Sequence, residues 1–248
     1  MTTQKMLSVM RKAITEYKMI KDGDKIAVGV SGGKDSVTLL KLLAEYKKFS
    51  PEKFDLIGIA VDLNFKGAKT DFDTLKKFCD GLGVPFIVEK TDIGEIVFDV
   101  RKESNPCALC SKMRKGALYD VAVKNGCNKV ALGHHADDLT DTFFLSLFYE
   151  GRLSTFAPKS YLDRTGLTLI RPLIMAKEVD IASYAKDLPV VKSPCPANKQ
   201  TKREYVKNAV REIAKDIPNV REMAYVAVTH PERYNLFDKY IADIDKIL

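Results

Sequence analysis

A chain of 248 residues, 46% of them hydrophobic, can bury one large core, and no apolar run approaches the ~20 residues that a membrane-spanning helix needs. Five cysteines, an odd count with two of them in CALC, argue against a disulfide framework and suit a reducing compartment. The net charge of +7 points toward a polyanionic partner.

The N-terminal MTTQKMLSVMRKAITEYKMI lacks the unbroken apolar core of a signal peptide and reads as an amphipathic helix, so a cytoplasmic protein is expected. Lys25–Val30 reads as a strand, Ser36–Tyr46 as a helix and Phe54–Val61 as a second strand. The spacing of Leu75, Phe78, Cys79 and Leu82 predicts a helix over Thr74–Leu82, followed by a strand at Val84–Val88. A helix over Met113–Lys124, a strand at Lys129–Leu132, an apolar helix over Leu139–Tyr149 and a short strand at Leu169–Leu173 come next. The last third is helical and polar, over Lys177–Lys186, Lys202–Lys215 and Val220–Val228. This alternation predicts an α/β fold: a doubly wound, mostly parallel sheet with a helical C-terminal extension.

Between the first strand and its helix stands Val28-Gly-Val-Ser-Gly-Gly-Lys-Asp-Ser36. A strand turning through glycines into a helix start builds an anion site, because free N–H groups and the helix dipole point at it. Val30, Ser31, Gly32, Gly33, Lys34 and Ser36 would line that site. Lys34 supplies a point charge, and Asp35 is suited to hold Mg²⁺ on phosphate oxygens. The commoner phosphate loop needs Gly at position 28 and Ser or Thr at 35, where Val28 and Asp35 stand, so that reading fails.

SGGKDS resembles the PP-loop of the N-type ATP pyrophosphatases, Rossmann-like proteins that split ATP between the α and β phosphates. CALC, SKMRKGALYDVA, ALGHHADDLTDTFFLSLFY, LIRPL, a later Cys195 and a C-terminal YNLFD follow in the order of the tRNA 2-thiocytidine synthetase family, which the chain resembles over most of its length. The resemblance implies an N-terminal helix over 1–20, a PP-loop ATP pyrophosphatase domain over 21–190 and a basic helical extension over 191–248 packed on the same domain. The chain departs from the family at Cys195-Pro-Ala-Asn198, where a second Cys-x-x-Cys is common.

Three motif cysteines remain, Cys107, Cys110 and Cys195. Tetrahedral structural zinc would need a fourth ligand, such as His134 or His135. A 4Fe–4S cluster on three thiolates leaves one iron open for sulfide, which matches the sulfur transfer that the resemblance implies. A metal-free persulfide route through two of the thiols stays open beside it. Cys79 and Cys127 sit among apolar positions and read as core packing.

GHHADD follows a strand, where open α/β sheets bind ligands. Gly133 permits close approach to the nucleotide and His135 could contact phosphate. Asp137 or Asp138 could orient the base or bind Mg²⁺, although both also suit the start of a helix. Val61 and Asp62 would lie near adenine and ribose, and Arg114 could meet charge on the reacting phosphate, with Lys115 beside it. Lys199, Arg203, Lys207, Arg211 and Lys215 recur every four residues with Lys202 beside them, opposite an apolar face of Val206, Val210, Ile213 and Ile217. With Arg101, Lys102 and Lys112 near CALC, this stripe suits an RNA partner.

The expectation is an ATP-dependent tRNA thiolase, its catalytic residues Lys34, Asp35, Asp138 and Arg114, that adenylates cytidine C2 in the anticodon loop. Its cofactors are ATP, Mg²⁺ and a 4Fe–4S cluster; its partners are tRNA and an unidentified sulfur donor, no membrane is involved, and a homodimer is allowed. A lysidine-synthetase-like ligase would share the adenylation but leaves CALC and Cys195 without a task. A non-catalytic regulator with a zinc or cluster sensor leaves Lys34 and Asp35 without one.

Overall fold

The computed structural model describes residues 1–65, 70–101, 106–192, 194–195 and 201–234. Lys102, Asn198 and Lys199, together with residues 235–238 of YNLFD, lie outside the described residues.

Helix α1 (Thr3–Glu16) starts on Thr2, whose side chain accepts from Lys5 N, and it buries Met6, Met10, Ala13 and Ile14. Then follow β1 (Asp24–Gly29), α2 (Lys34–Lys47), β2 (Phe54–Asp62), α3 (Phe72–Gly81) and β3 (Phe86–Lys90). A single turn, α4 (Ile93–Glu95), runs on into a π-helical turn at Ile96–Val100. Beyond it lie α5 (Pro106–Lys124), β4 (Lys129–Ala131), α6 (Ala136–Glu150), β5 (Lys159–Leu162) and β6 (Leu167–Ile170). Helices α7 (Glu178–Tyr184), α8 (Lys202–Asp216) and α9 (Val220–Thr229) complete the described chain.

The six strands stand in the order β3-β2-β1-β4-β6-β5, all neighbours parallel except the antiparallel β5–β6 edge. The doubly wound expectation therefore holds. Parallel strands need cover on both faces, and β1 shows why its sequence is continuously apolar. Ile26, Val28 and Val30 pack into the core shared with α1, α2 and α7, while Ala27 faces the opposite core with Ile57, Ile59, Leu118, Val121 and Leu169. Order reverses between β1 and β4, so the crevice for a ligand opens at their C-terminal ends. The SGGKDS loop leaves one of those ends and GHHADD leaves the other.

Three boundaries and one helix face differ from the sequence expectation. β3 starts at Phe86 rather than Val84, because Pro85 offers the sheet no N–H and gives only its carbonyl, to Gly58 N. α5 begins at Pro106, seven residues earlier than expected, with proline in the first turn where a missing N–H costs nothing. β6 ends at Ile170, since Pro172 cannot extend the ladder, and it pairs with a β5 that the sequence reading did not foresee. The apolar face expected of α8 is only half buried: Val206 and Val210 are enclosed, but Ile213 and Ile217 are exposed.

Candidate active site

The loop after β1 is shaped by short contacts among its own residues. Ser36 Oγ donates to the Gly33 carbonyl at 2.9 Å and accepts from Ser31 N at 3.2 Å, closing the turn over the start of α2. Gly32 has φ +83°, a left-handed conformation natural only to glycine, and its carbonyl accepts from Val191 N at 2.9 Å. Gly33 caps α2 with no side-chain hydrogen bond, so the first N–H groups of the helix remain available to an anion.

Gly133 is the reason the second element can close on the first. A Cβ there would stand 2.9 Å from the Asp35 carbonyl carbon and oxygen. Only glycine lets the end of β4 lie against the first turn of α2. His135 then begins α6 as its N-cap, Nδ1 accepting from Asp138 N at 3.4 Å, while His135 N donates to Asp138 Oδ2 at 3.1 Å. His135 is 3% exposed and caps through its backbone N and Nδ1, while its Nε2 stands 3.7 Å from Asp35 Oδ1 and 3.4 Å from Asp138 Oδ2. Asp137 turns the other way and accepts from Glu178 N at 2.7 Å, capping α7. Asp138 keeps Oδ2 on His135 and holds Oδ1 3.6 Å from Arg203 Nη2.

Lys34 Nζ lies 2.8 Å from Asp35 Oδ1 and 3.2 Å from Glu178 Oε1, and Lys207 Nζ bonds the same Glu178 at 2.8 Å. Burial would raise the Glu178 carboxyl, yet the hydrogen bond from Lys207 and the nearby Lys34 hold it down at about 2. Burial likewise opposes the Lys34 ammonium, but its bond to Asp35 and the charge of Glu178 raise it overall. Glu178 carried no motif in the sequence. Its signal was its position, opening α7 directly after the LIRPL strand.

Two residues of the basic stripe turn inward. Arg203 Nη2 donates to the Asp138 carbonyl at 3.1 Å and to Thr142 Oγ1 at 3.0 Å, and Lys207 joins the Glu178 chain just described. They are braces between α8 and the site. Arg211 and Lys202 are exposed. Lys202 sits over the Tyr149 ring at 4.8 Å.

Cys107 and Cys110 occupy the first turn of α5, half-buried and three residues apart, where the helix dipole favours thiolates. Burial pushes the Cys110 thiol up; Arg114 pulls it down, while negative charge on Cys195 and Cys107 would push it up further. The three motif thiols thus lie within electrostatic reach of one another. None of the five cysteines forms a disulfide, and Cys79 and Cys127 are buried in the cores as expected. Among the described residues no three His, Cys, Asp or Glu side chains are already gathered to ligate one metal ion. The donor set discriminates all the same. A zinc site would need a histidine as fourth ligand, but His135 is the cap of α6 and His134 packs on Phe156 with ring centroids 5.0 Å apart. Three thiols without a fourth donor fit a 4Fe–4S cluster better.

Val61 and Asp62 end β2 at the same edge of the sheet, where Asp62 Oδ1 accepts from Asn64 N at 3.0 Å. Among the described residues no helix is long and apolar enough to cross a membrane.

Residues 3–217 match the family described as a PP-loop domain. The chain is 37% identical over 235 residues to the tRNA-cytidine(32) 2-sulfurtransferase of Pelobacter propionicus, covering 93% of this chain and 87% of that one. It is also 37% identical over 245 residues to the enzyme of the same name from Syntrophotalea carbinolica, covering 97% and 94%. Among solved structures, the U34-tRNA thiolase NcsA from Methanococcus maripaludis, with its 4Fe–4S cluster, superposes with a TM-score of 0.73 at 26% identity, over 94% of this chain and 80% of that one.

Proposed function

Because the chain belongs to the PP-loop family, among the tRNA-cytidine(32) 2-sulfurtransferases, we propose that it uses ATP to exchange a base carbonyl oxygen of tRNA for sulfur, the acceptor being C2 of an anticodon-loop cytidine. The observation that carries this reading is that Cys195, from a distant segment, lies within electrostatic reach of the Cys107–Cys110 pair on α5, whose next turn presents Arg114. A ligase that attached an amine would leave those thiols unused.

In this reading the N–H groups of the loop over Gly32–Ser36 and Lys34 hold the β and γ phosphates, while Asp35 orients a Mg²⁺ ion on them. Val61 and Asp62 bound the adenine and ribose. The C2 oxygen attacks the α-phosphorus, the bond to the bridging oxygen breaks, and pyrophosphate leaves. Arg114 balances charge on the α-phosphate, and Asp138 orients the base. Sulfur at the sulfide level then adds to C2 and expels AMP, so the carbon undergoes no net oxidation or reduction. Cys107, Cys110 and Cys195 would hold the 4Fe–4S cluster, which when bound supplies an iron free of protein ligands for presenting that sulfur. Arg211 and Lys202 remain available to RNA phosphates.

The test is a single turnover of anaerobic protein with ATP and unmodified tRNA. The expected products are AMP, pyrophosphate and a digested nucleoside heavier by the exchange of sulfur for oxygen. ADP and phosphate would overturn the assignment.

A further inference from the structure

A second concentration of charge lies beyond Asp138, away from the nucleotide loop. Arg171, at the end of β6, is only 7% exposed. Its Nη1 donates to the Ala157 carbonyl, its guanidinium carbon lies 4.7 Å from the centre of the Phe156 ring, and its Nε has no partner. His134 packs on the same ring, with Nδ1 buried and unpartnered. Arg203 closes a third side, its Nη2 occupied by Asp138 and Thr142 and its Nε buried and unpartnered. Lys115 and Arg114, on the turn of α5 after Cys110, are exposed at the rim.

A buried polar group without a partner costs roughly 1–3 kcal/mol, so three such nitrogens, two of them on side chains that share the Phe156 ring and the third on Arg203 beside Asp138, indicate a missing partner rather than accident. Its charge is also indicated. Lys115 is exposed as a whole residue, yet local burial of its ammonium holds it below its usual range, and the nearby Arg171, Arg114 and Arg203 lower it further. Among the described residues Arg114, Lys115 and Arg171 form no ion pair, and Asp138, the carboxylate closest to hand, is already shared between His135 and Arg203. The nucleotide loop differs, because Lys34 and Lys207 are matched there by Asp35 and Glu178. One site is balanced and the other is cationic. Asp138 separates them, one oxygen 3.4 Å from His135 and the other 3.6 Å from Arg203. An anion in the second pocket is therefore not the pyrophosphate of the first.

We propose that Arg171, His134, Arg203 and Lys115 bind, without a metal ion, a backbone phosphodiester of the RNA substrate flanking the base that is activated. A phosphodiester carries one charge on two oxygens, which the guanidinium and imidazole N–H groups and the Lys115 ammonium can share. The exposed Arg114 and Lys115 suit a group attached to a polymer, and they share α5 with Cys107 and Cys110. The inference rests on the reading that the acceptor is an RNA base.

The test uses the full chain, handled anaerobically, and two tRNAs: an unmodified one, and one with a neutral methylphosphonate at the 5′ or 3′ phosphate of the target cytidine. Lys115→Met, at an exposed position, should weaken unmodified tRNA roughly tenfold and lower the slope of log K against log salt by ~0.7. One of the methylphosphonates should weaken the wild type similarly and leave Lys115→Met almost indifferent, with binding of a non-hydrolysable ATP analogue unchanged. Arg171→Gln should act in the same direction if it folds, and Lys115→Met decides the matter if it does not. Lys115→Met binding tRNA with wild-type affinity and slope would overturn the pocket. So would lost affinity for the ATP analogue with tRNA binding intact, which would assign the pocket to the α-phosphate. Absence of tRNA binding by the wild type would overturn the underlying reading itself.

Discussion

At the scale of single residues, two neighbouring histidines have been given opposite tasks. His135 is consumed as a helix cap, whereas burial pushes His134 down to about 4, with Arg171, Arg203 and Lys115 opposing its protonation and Asp138 favouring it. A histidine depressed in the folded state contributes stability above its unfolded value, near 6.5, and loses that contribution as pH falls toward 4. Stability should therefore decline across that window by at most about 3 kcal/mol. Urea melts at several pH values should show the decline in the wild type and a smaller one in His134→Asn. Glu178, held near 2, stays ionised throughout and cannot cause it. The thiols divide in the same way. Burial pushes Cys79 up to about 11, which makes it inert, so Cys79→Ala should keep the iron and brown colour of anaerobically purified protein, while alanine at Cys107, Cys110 or Cys195 should abolish both.

At the scale of elements, the close contact between the start of α2 and the end of β4 is what brings Asp35 and Asp138 to the same His135 nitrogen, Nε2. Gly133→Ala should force the two apart, costing about 1–3 kcal/mol in a denaturant melt and most of the Mg²⁺-dependent ATP turnover. Much of this arrangement was legible beforehand. The apolar run of β1 and SGGKDS locate the loop, and GHHADD after KVAL locates its partner, because strand, turn and cap chemistry are local. Less legible were features that depend on distant pairing. The antiparallel β5 has few apolar residues to mark it, and the π-helical turn at Ile96–Val100 has no periodicity of its own. Regular spacing made Arg203 and Lys207 look like surface residues; only the packing of α8 on α6 turns them inward. Glu178 and the unpartnered nitrogens of Arg171 and His134 acquire meaning only when three strand ends converge.

At the scale of the whole molecule, the last third of the chain is joined to the nucleotide loop, among the described residues, through the Lys34–Glu178–Lys207 chain and the bond from Val191 N to the Gly32 carbonyl. Lys207→Met should thus weaken a non-hydrolysable ATP analogue several-fold in calorimetry, whereas Arg211→Ala should change only the salt dependence of tRNA binding. The bond at Gly32 has a wider consequence, since Val191 lies four residues before Cys195. A restraint on the thiol that reaches Val191 also reaches the loop, and linkage requires such an influence to run equally in both directions. Cys195→Ala should loosen the ATP analogue, and the analogue should in turn slow alkylation of the wild-type Cys195 thiol. An oxidised enzyme, unable to deliver sulfur, would then also hold its nucleotide poorly. The same bond that orders the loop would act as a fuse against idle ATP cleavage under oxidative stress.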